Sequence, residues 1–421
     1  MPSKSYNRYL LQFFPFMISS ILLCSPPDNT VISVNERTSE CGGFKTLAKR
    51  TGSLIPDDTI PCLEETLFWR YDTLSDVLTL VRRCINANCA AQLSMSVVQK
   101  DGAYVINKFD KRDPNLSANC MCTFDLYCEI PEITERTVIL SIDTISSVID
   151  LNKQKGTIVV HPLEYLDLYN QPYTDLTFLS AYPHLKQLGH VDTRMFSDLT
   201  PIGSLQNLQS LSCINVDSIS FITVCKNLTY LDLQGTPLLN NISALASLSN
   251  LTMLYLSGIS SVQDISSIGN CNKLKQLALT NCNSVTTISR LEACTDLTEL
   301  RITGSISLST LDPLTSLTKL TTLTLDSIPK VLSLEPLRSL SSLQSLSITN
   351  NDILTDLSPL SQLNILRNLN LINLSAVSDF TPLLSCLGEG DTFTYGGMSI
   401  PAEILEQLKK KGVAFKGSDR R

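Results

Sequence analysis

A phrase of the form L-x-x-L-x-L recurs through the second half of the chain at an almost fixed spacing. The first leucines of the phrase are Leu163, Leu185, Leu208, Leu228, Leu251, Leu274, Leu297, Leu320, Leu343 and Leu366. Most phrases follow the one before by about 23 residues, a length within the range of known repeat units. A period this regular predicts a solenoid in which each coil packs on the next.

Each coil also has an apolar register beyond the phrase itself. Counted from the first leucine, positions 1, 4, 6, 9, 12, 15, 18 and 21 are mostly apolar, as in Leu251, Leu254, Leu256, Ile259, Val262, Ile265, Ile268 and Cys271. The step of two is typical of a strand, and the steps of three are typical of a 3-10 return. The register predicts an α/β solenoid with parallel strands on its concave face and short 3-10 or helical returns on its convex face.

A column of short polar residues marks the return of every coil. Its members, at position 14 of a full coil, are Asp175, Asp198, Ser218, Asn241, Asp264, Thr287, Thr310, Ser333, Asp356 and Asp379. We call them the corner residues, and we expect their side chains to bond the N–H groups of a sharp turn. Proline follows three residues later in five coils, at Pro201, Pro313, Pro336, Pro359 and Pro382. This order predicts an N-cap and then proline in the first turn of a short helical segment.

The unit resembles a known family. The phrase L-x-x-L-x-L with a return such as Asp356-Leu357-Ser358-Pro359-Leu360 is similar to the leucine-rich repeats of bacterial internalins and of protist surface and regulatory proteins. One departure is position 9, where the family's asparagine occurs only as Asn351. The resemblance implies a leucine-rich-repeat solenoid that binds another protein.

The repeats set the expected boundaries of the solenoid. We expect about ten coils of the length given above over residues 136–395. Residues 396–421 then form a C-terminal cap and a basic tail, with a helix from Pro401 to Lys411 that ends at Gly412.

The N-terminus has the layout of a secretory signal. Lys4 and Arg8 precede an apolar run from Tyr9 to Cys24, and prolines follow it. We interpret residues 1–25 as a signal peptide, with a retained signal anchor or an ordinary apolar helix as the alternatives.

Residues 26–135 form a predicted cysteine-rich N-terminal domain and cap. Apolar residues from Leu74 to Ile85 follow helical spacing, with Asp72-Thr73 as a plausible N-cap, and they predict one amphipathic helix. The pair Asp101-Gly102 lies between two apolar runs and predicts a β-hairpin turn.

Seven cysteines of this region predict a disulfide framework: Cys41, Cys62, Cys84, Cys89, Cys120, Cys122 and Cys128. The alternative is a zinc site made of Cys84, Cys89, Cys120 and Cys122, although paired C-x2-C knuckles are absent. The spacing Cys120-x-Cys122-x5-Cys128 resembles the N-terminal cap of extracellular leucine-rich-repeat proteins. That cap has a further cysteine just before the C-x-C, so here Cys84 or Cys89 would have to supply the partner.

The cysteines and one histidine within the repeats are interpreted as core residues. Six cysteines occupy leucine positions and predict buried thiols: Cys213, Cys225, Cys271, Cys282, Cys294 and Cys386. Cys271 and Cys294 are neighbours in adjacent coils and are the one pair that could form a bond. His190 falls at inward position 6, which predicts a core imidazole.

Five N-x-[ST] sequons mark possible glycosylation sites. The candidates are Asn115, Asn227, Asn250 and Asn373, while Asn241 is also a corner residue.

The composition and the absence of known motifs reduce the number of function classes that fit the chain. The net charge of −7 and the pI near 5.1 argue against a nucleic-acid partner. The chain has three histidines and lacks the motifs of metalloproteases, serine hydrolases and phosphate-binding loops. We expect no enzyme, no cofactor and no metal.

The strand positions between the buried leucines form an exposed sheet face, where a partner would bind. Aromatic residues and arginine carry most binding energy in protein interfaces, which favours the first half of this face. The predicted contact residues are Tyr165, Asp167, Tyr230, Asp232, Met253, Tyr255, Glu299 and Arg301. The sequence therefore predicts a secreted or cell-surface recognition or adhesion protein, with a protein ligand and no membrane contact beyond a possible N-terminal anchor. The alternative is a cytoplasmic scaffold or regulatory subunit of an enzyme.

Overall fold

The computed structural model describes residues 34–38, 65–88, 91, 93–110, 121–169, 171 and 173–417. Its contacts divide the chain into an N-terminal unit, whose described part ends at Val160, and a C-terminal unit that begins at His161. The predicted signal segment 1–25 lies outside the described residues, as do Cys41, Cys62, Cys89, Cys120 and Asn115.

The N-terminal unit contains two sheets in its described part. One has the strand order β1-β6-β3-β2-β9, and the other has the order β4-β5-β7-β8. The strands are β1 (Val34–Thr38), β2 (Glu65–Asp72), β3 (Val77–Asn88), β4 (Leu93–Lys100), β5 (Ala103–Asp110), β6 (Met121–Ile130), β7 (Thr137–Ile142), β8 (Ile145–Asp150) and β9 (Lys155–His161), and a 3-10 turn covers Leu151–Lys153. One apolar core is shared by residues of both sheets, among them Leu80, Leu126, Met95 and Leu140.

The predicted helix from Leu74 to Ile85 is wrong, because this segment forms strand β3. The strand lies between β2 and β6 and pairs antiparallel with both. Leu78 and Leu80 face the main core, while Val81 packs on the opposite face against Tyr127. A central strand with apolar residues on both faces has the same short apolar run as a buried helix, so its spacing could not separate the two.

The predicted hairpin is confirmed. Strands β4 and β5 pair directly up to Lys100 and Ala103, and Asp101 and Gly102 between them both have positive φ, of 50° and 76°. Two consecutive left-handed residues are the geometry of the tight turn that Asp-Gly favours.

Arg82 carries a buried charge inside this unit. Its side chain is fully buried, where it donates a hydrogen bond to Glu65 and another to Asp143 at 2.5 Å. Loss of either carboxylate would leave the buried charge of Arg82 less well compensated. Removing one partner of a buried ion pair costs more folding free energy than the intact pair contributes.

The C-terminal unit is a parallel sheet of twelve strands within the described residues. The strands are β10 (Tyr165–Asp167), β11 (Gln187–Asp192), β12 (Ser210–Ile214), β13 (Tyr230–Gln234), β14 (Met253–Ser257), β15 (Gln276–Thr280), β16 (Glu299–Thr303), β17 (Thr322–Asp326), β18 (Ser345–Thr349), β19 (Asn368–Ile372), β20 (Thr392–Gly396) and β21 (Ala414–Gly417). The sheet starts at Tyr165 and not at residue 136, because β7 and β8 belong to the N-terminal unit.

Most returns are 3-10 helices, as the steps of three predict. They cover Thr177–Ala181, Thr200–Ser204, Ser220–Val224, Ser243–Ser247, Ser266–Asn270, Leu291–Ala293, Asp312–Ser316, Glu335–Ser339 and Ser358–Gln362, and the last two returns are the helices α1 (Leu383–Cys386) and α2 (Ala402–Lys410). Strand leucines and return leucines meet in a single apolar core that runs from coil to coil. This confirms an α/β solenoid.

The corner residues bond the backbone as predicted. In all ten coils the side chain accepts a hydrogen bond from the N–H two residues on, for example Asp264 from Ser266 at 2.8 Å and Asn241 from Ser243 at 2.8 Å. Proline lies in the first turn of the four 3-10 returns that contain it. The cap differs in detail from the prediction. The apolar residue after the corner is the N-cap, and it makes no side-chain bond.

A second column, which was not predicted, follows the ends of strands β12 to β20 and has left-handed backbone conformation. From the third strand onward its members are Asn215, Gly235, Gly258, Asn281, Gly304, Ser327, Asn350, Asn373 and Gly397, all with φ between 53° and 73°. Asparagine and glycine adopt this conformation at least cost. At Gly304 a side chain would also collide with the Oδ1 of Asn281 in the preceding coil.

The array cysteines are buried free thiols, as their register predicts. Cys271 and Cys294 are not bonded to each other. Each thiol donates instead to a carbonyl of the preceding coil, that of Leu245 or Ile268, at 3.5 Å. Burial raises the pKa of Cys271 to about 12 and that of Cys294 to about 11.

Position 9 shows why the asparagine is dispensable. Asn351 is buried and donates to the carbonyls of Ile328 and Val331, and it accepts from Ile353 and Leu354. In other coils a buried apolar residue fills the same position, such as Ile259, Cys282, Ile328 or Leu374, and these coils close without this hydrogen-bonded side chain.

The C-terminal helix is confirmed, and the chain continues beyond it. Helix α2 is followed by Gly412 at φ 82°, and β21 then adds one more strand beside β20. The helix is therefore the return of a last coil. In the part of the chain that the structure describes, no helix has both the length and the apolar character needed to cross a bilayer.

The corner aspartates give a prediction on pH. Hydrogen bonds from the residue two positions on lower the pKa of Asp175, Asp198, Asp264 and Asp379 below the ordinary 3.8. A lowered pKa in the folded state stabilises the fold above pH 3.8, and this contribution is lost as the pH falls through the folded-state pKa.

We expect the urea midpoint of a variant with all four aspartates changed to Asn to fall less between about pH 6 and about pH 3 than that of the wild type. Asparagine keeps the hydrogen bond, as Asn241 shows. The control variant is Asp217→Asn, which removes a carboxylate at an exposed position outside the corner. An unchanged pH dependence in the fourfold variant would contradict this account.

Candidate functional site

The exposed sheet face consists of three rows of side chains that run across the strands. Each residue of β13 pairs with the residue one full repeat later in β14, and the same pairing continues to β17, so equivalent residues stand side by side. The first row contains Tyr230, Met253, Gln276, Glu299 and Thr322, the middle row contains Asp232, Tyr255, Ala278, Arg301 and Thr324, and the third row contains Gln234, Ser257, Thr280, Thr303 and Asp326.

The structure brings three of the predicted contact residues together. Tyr230 and Tyr255 lie on adjacent strands with ring centroids 5.6 Å apart and planes tilted by 43°. Asp232 is the middle-row neighbour of Tyr255. The three line an open depression of about 280 Å³, which we call the tyrosine depression; its other lining residues are Gln234, Leu256, Ser257, Ala278 and Thr280.

Ala278 makes the depression possible. It follows Tyr255 in the middle row, and Arg301 follows it in turn. Its methyl group is small and only 9% exposed, and it lines the depression between these two long side chains. Tyr255 is held at the rim because its hydroxyl donates to Oε1 of Gln276 at 2.9 Å. Neither Ala278 nor Gln276 was among the predicted contact residues. The sequence did contain an indication for Ala278, because it is the one small residue between a tyrosine and an arginine in the middle row.

The depression carries a negative charge, that of Asp232. Burial raises the pKa of Asp232, and the amide of Gln234 opposes this by donating to its Oδ2 at 2.6 Å. Burial also raises the pKa of Tyr230, and the charge of Asp232 adds to that. For Tyr255 burial is again the main cause; Glu299 raises its pKa further, and Arg301 lowers it.

His190 does not lie in the core as predicted; its side chain is about half exposed on the sheet face. Strand β11 contains a bulge between Leu188 and Val191, so that Val191 takes the inward position opposite Cys213. The extra residue leaves His190 with φ 54° and turns its side chain outward.

His190 completes a small cluster with two predicted residues. Its Nδ1 lies 2.8 Å from Oδ1 of Asp167, and Tyr165 donates to Oδ2 of the same carboxylate at 3.2 Å. The Asp167 pKa is lowered by the N–H of Tyr169 and next by His190. Asp167 thus holds its neighbours in place.

The remaining predicted residues lie farther along the same face. Met253 stands beside Tyr230 in the first row and is partly exposed, Glu299 follows Gln276, and Arg301 is exposed beyond Ala278. In the later coils the middle row continues with Thr324, Ser347 and Asn370. The exposed tyrosine, methionine and arginine side chains of these rows are therefore confined to the first half of the face.

The repeated phrase, the parallel strands and the 3-10 returns together decide the fold family. The chain is a leucine-rich-repeat protein. No protein-family model and no curated protein sequence matches it.

Solved structures similar to this leucine-rich-repeat protein include three bacterial proteins. An internalin (inlF) from Listeria monocytogenes is 19% identical, with 65% of this chain and 86% of that chain covered and a TM-score of 0.44. An internalin C2 from the same species is 26% identical, with coverage of 49% and 80% and a TM-score of 0.37. A leucine-rich-repeat protein from Leptospira interrogans is 19% identical, with coverage of 61% and 76% and a TM-score of 0.35.

The cysteines of the N-terminal unit are described in part. Cys84 is disulfide-bonded, and Cys128 is buried on strand β6. A disulfide sulfur does not bind zinc as a thiolate does, so the alternative zinc site loses one of its four ligands. The framework of seven cysteines otherwise stays a prediction.

Three glycosylation candidates have a structural role in the repeats. The amide nitrogen of Asn227 donates to the backbone carbonyl of Gln206 at 2.7 Å, and that of Asn250 donates to the backbone carbonyl of Lys226 at 3.0 Å. The amide nitrogen of Asn373 donates to the side-chain Oδ1 of Asn350 at 2.7 Å. A glycan would be attached to this same nitrogen, so its attachment would compete with a bond to the preceding coil.

The geometry of the tyrosine depression predicts how its phenols titrate. Asp232→Asn removes a negative charge near Tyr230 and should lower the Tyr230 pKa, because the phenolate is then less disfavoured. Glu299→Gln is the matched control and should lower the pKa of Tyr255 only. Ring signals of ¹³C-labelled tyrosine, followed by NMR through the alkaline range, report both values. A Tyr230 pKa that responds to Glu299→Gln but not to Asp232→Asn would contradict the arrangement.

Proposed function

We propose that this chain is a non-enzymatic protein-binding module that contacts its partner through the exposed sheet face between Tyr165 and Arg301. Leucine-rich-repeat solenoids are typical protein-binding modules and are usually not enzymes. The observation that carries the proposal is the segregation of side chains on the face. Tyrosine, methionine and arginine are confined to the early coils, while serine, threonine and asparagine continue through the later ones.

The segregation matters because large, rigid side chains contribute most of the binding energy at protein interfaces. Tyr165 is 57% exposed and Met253 is 37% exposed, although both stand on a sheet whose other face is fully buried. An unligated face gains nothing from such apolar exposure, and the later coils show that small polar residues satisfy the same strand geometry.

We further propose that the protein is secreted or displayed at the cell surface and acts in recognition or adhesion. Two observations support this. The N-terminal sequence has the layout of a secretory signal. The disulfide at Cys84 is typical of an oxidising compartment. An intracellular scaffold is the second candidate, and the six free thiols of the array favour it.

A variant that changes only the large side chains tests the face. Tyr230→Ser, Tyr255→Ser and Arg301→Thr together install residue types that the chain already uses in the same rows at Ser345, Ser347 and Thr324. Folding should therefore be preserved. The control is a triple alanine variant of the late coils at Thr322, Thr324 and Ser345.

Peptides selected from a random phage-displayed library against the wild-type protein are the probe. We expect most selected peptides to bind the early-coil variant at least about tenfold more weakly and to bind the late-coil control within about twofold of wild type. Peptides that bind the early-coil variant as well as wild type, while circular dichroism shows both to be folded, would remove the proposed face.

A further inference from the structure

The tyrosine depression has one charge and several acceptors. Asp232 is the only ionised group among its lining residues at neutral pH, and the remaining polar groups are hydroxyls and the amide of Gln234. Within the described part of the chain, no lysine or arginine lines it. Arg301 and His190 act on its residues only from outside, Arg301 on Tyr255 and His190 on Asp232.

Part of the hydrogen-bonding capacity of the depression is unused. Gln234 donates to Oδ2 of Asp232, while Oδ1 of Asp232 accepts no hydrogen bond from any residue that the structure describes. The hydroxyl of Tyr230 likewise has no partner within the described ranges, whereas that of Tyr255 is bonded to Gln276. Asp232 is half-buried, and burial raises its pKa because its ionised form is partly desolvated. Water can donate to the second oxygen, and a cation would stabilise the carboxylate more because its hydrogen bond is charge-assisted.

The aromatic rings favour the same kind of ligand. Tyr230 and Tyr255 form a tilted pair at 5.6 Å, so their faces are not stacked on each other. A tyrosine ring presents a negative face that attracts a cation within about 6 Å of its centre. Ala278 adds only a methyl group to the lining beside Tyr255, and the volume of about 280 Å³ has room for one ammonium or guanidinium group with part of its stem.

We propose that the tyrosine depression binds the cationic head group of a lysine or arginine side chain of a protein partner. The head group lies against the open side of the Tyr230–Tyr255 ring pair, within the depression, and donates to Oδ1 of Asp232. This inference rests on the proposed function, because it names the chemistry by which the early coils recognise a protein. It makes the depression the anchoring point of the exposed sheet face.

The direct test titrates the full chain with blocked single amino acids. The probes are Nα-acetyl-arginine methylamide, Nα-acetyl-lysine methylamide and the neutral isostere Nα-acetyl-citrulline methylamide. The readout is the ring signals of ¹³C-labelled tyrosine in the purified protein. Tyr230→Phe and Tyr255→Phe assign two of the twelve tyrosines.

We expect at least one cationic probe to shift the signals of Tyr230 and Tyr255 in a saturable manner and the citrulline probe to leave them unmoved. Asp232→Asn should weaken the binding by about tenfold or more, because it removes the charge but keeps the shape. Glu299→Gln removes an equal charge from the same face outside the depression and should change the binding less than about twofold. Tyr255→Leu should weaken it, while Tyr255→Phe should not, since only the ring faces the ligand.

Any of three results would overturn the proposal. The first is a citrulline probe that shifts the two tyrosines as strongly as the arginine probe does. The second is an equal loss of binding in Asp232→Asn and Glu299→Gln. The third is a set of cationic probes that shift other tyrosines and leave Tyr230 and Tyr255 unmoved.

Failure of the cation site is distinguishable from failure of the proposed function. If the selected peptides bind the early coils but contain no basic residue, the proposed binding face is supported and the cation site is contradicted. If the cationic probes saturate the depression while the selected peptides bind the early-coil variant as tightly as they bind the wild type, the cation site is supported and the protein-binding face is contradicted.

Discussion

The structure depends on the stacking of each coil on its neighbours. A single coil of about 23 residues has an apolar interior but too few residues to enclose it, so Leu254 or Leu277 is buried only because the coils before and after supply the rest of the core. Stacking requires that strand, corner and return recur at the same place. The constant parallel register from β13 to β19, one full repeat for each strand, is the visible result.

This constraint divides the residues of a coil into fixed and free positions. The buried leucines, the corner side chains and the left-handed residues at the strand ends all contact the next coil or their own backbone. Cys271 can replace a leucine because a thiol is small and apolar and still reaches the carbonyl of Leu245. The side chains at the exposed strand positions are not needed for the stacking of one coil on the next. These positions therefore vary from coil to coil, and most of the residues that line the tyrosine depression occupy them.

The sequence predicted the solenoid well because its signals are local and repeated. The corner column is one example, since a short polar side chain such as Asp264 needs only the N–H two residues on. The sequence failed where a long-range contact decides the outcome. Strand β3 has the spacing of a helix, and its pairing with β2 and β6 makes it a strand. His190 sits at an inward position by count, and one bulge between Leu188 and Val191 turns it outward. The rows of the face were predictable from the period, but the depression depends on the packing of Tyr230, Tyr255 and Ala278.

The measurement that tests the central claim most directly compares two deletions. One removes a whole coil, residues 320–342, and the other removes only the return of that coil, residues 331–342. If stacking in register is the governing constraint, the larger deletion should unfold cooperatively in urea with a midpoint near that of the wild type. The smaller one should lose far more stability, because it leaves a strand without a corner or return. A midpoint that falls in proportion to the number of leucines removed, with the whole-coil deletion the less stable, would contradict the account.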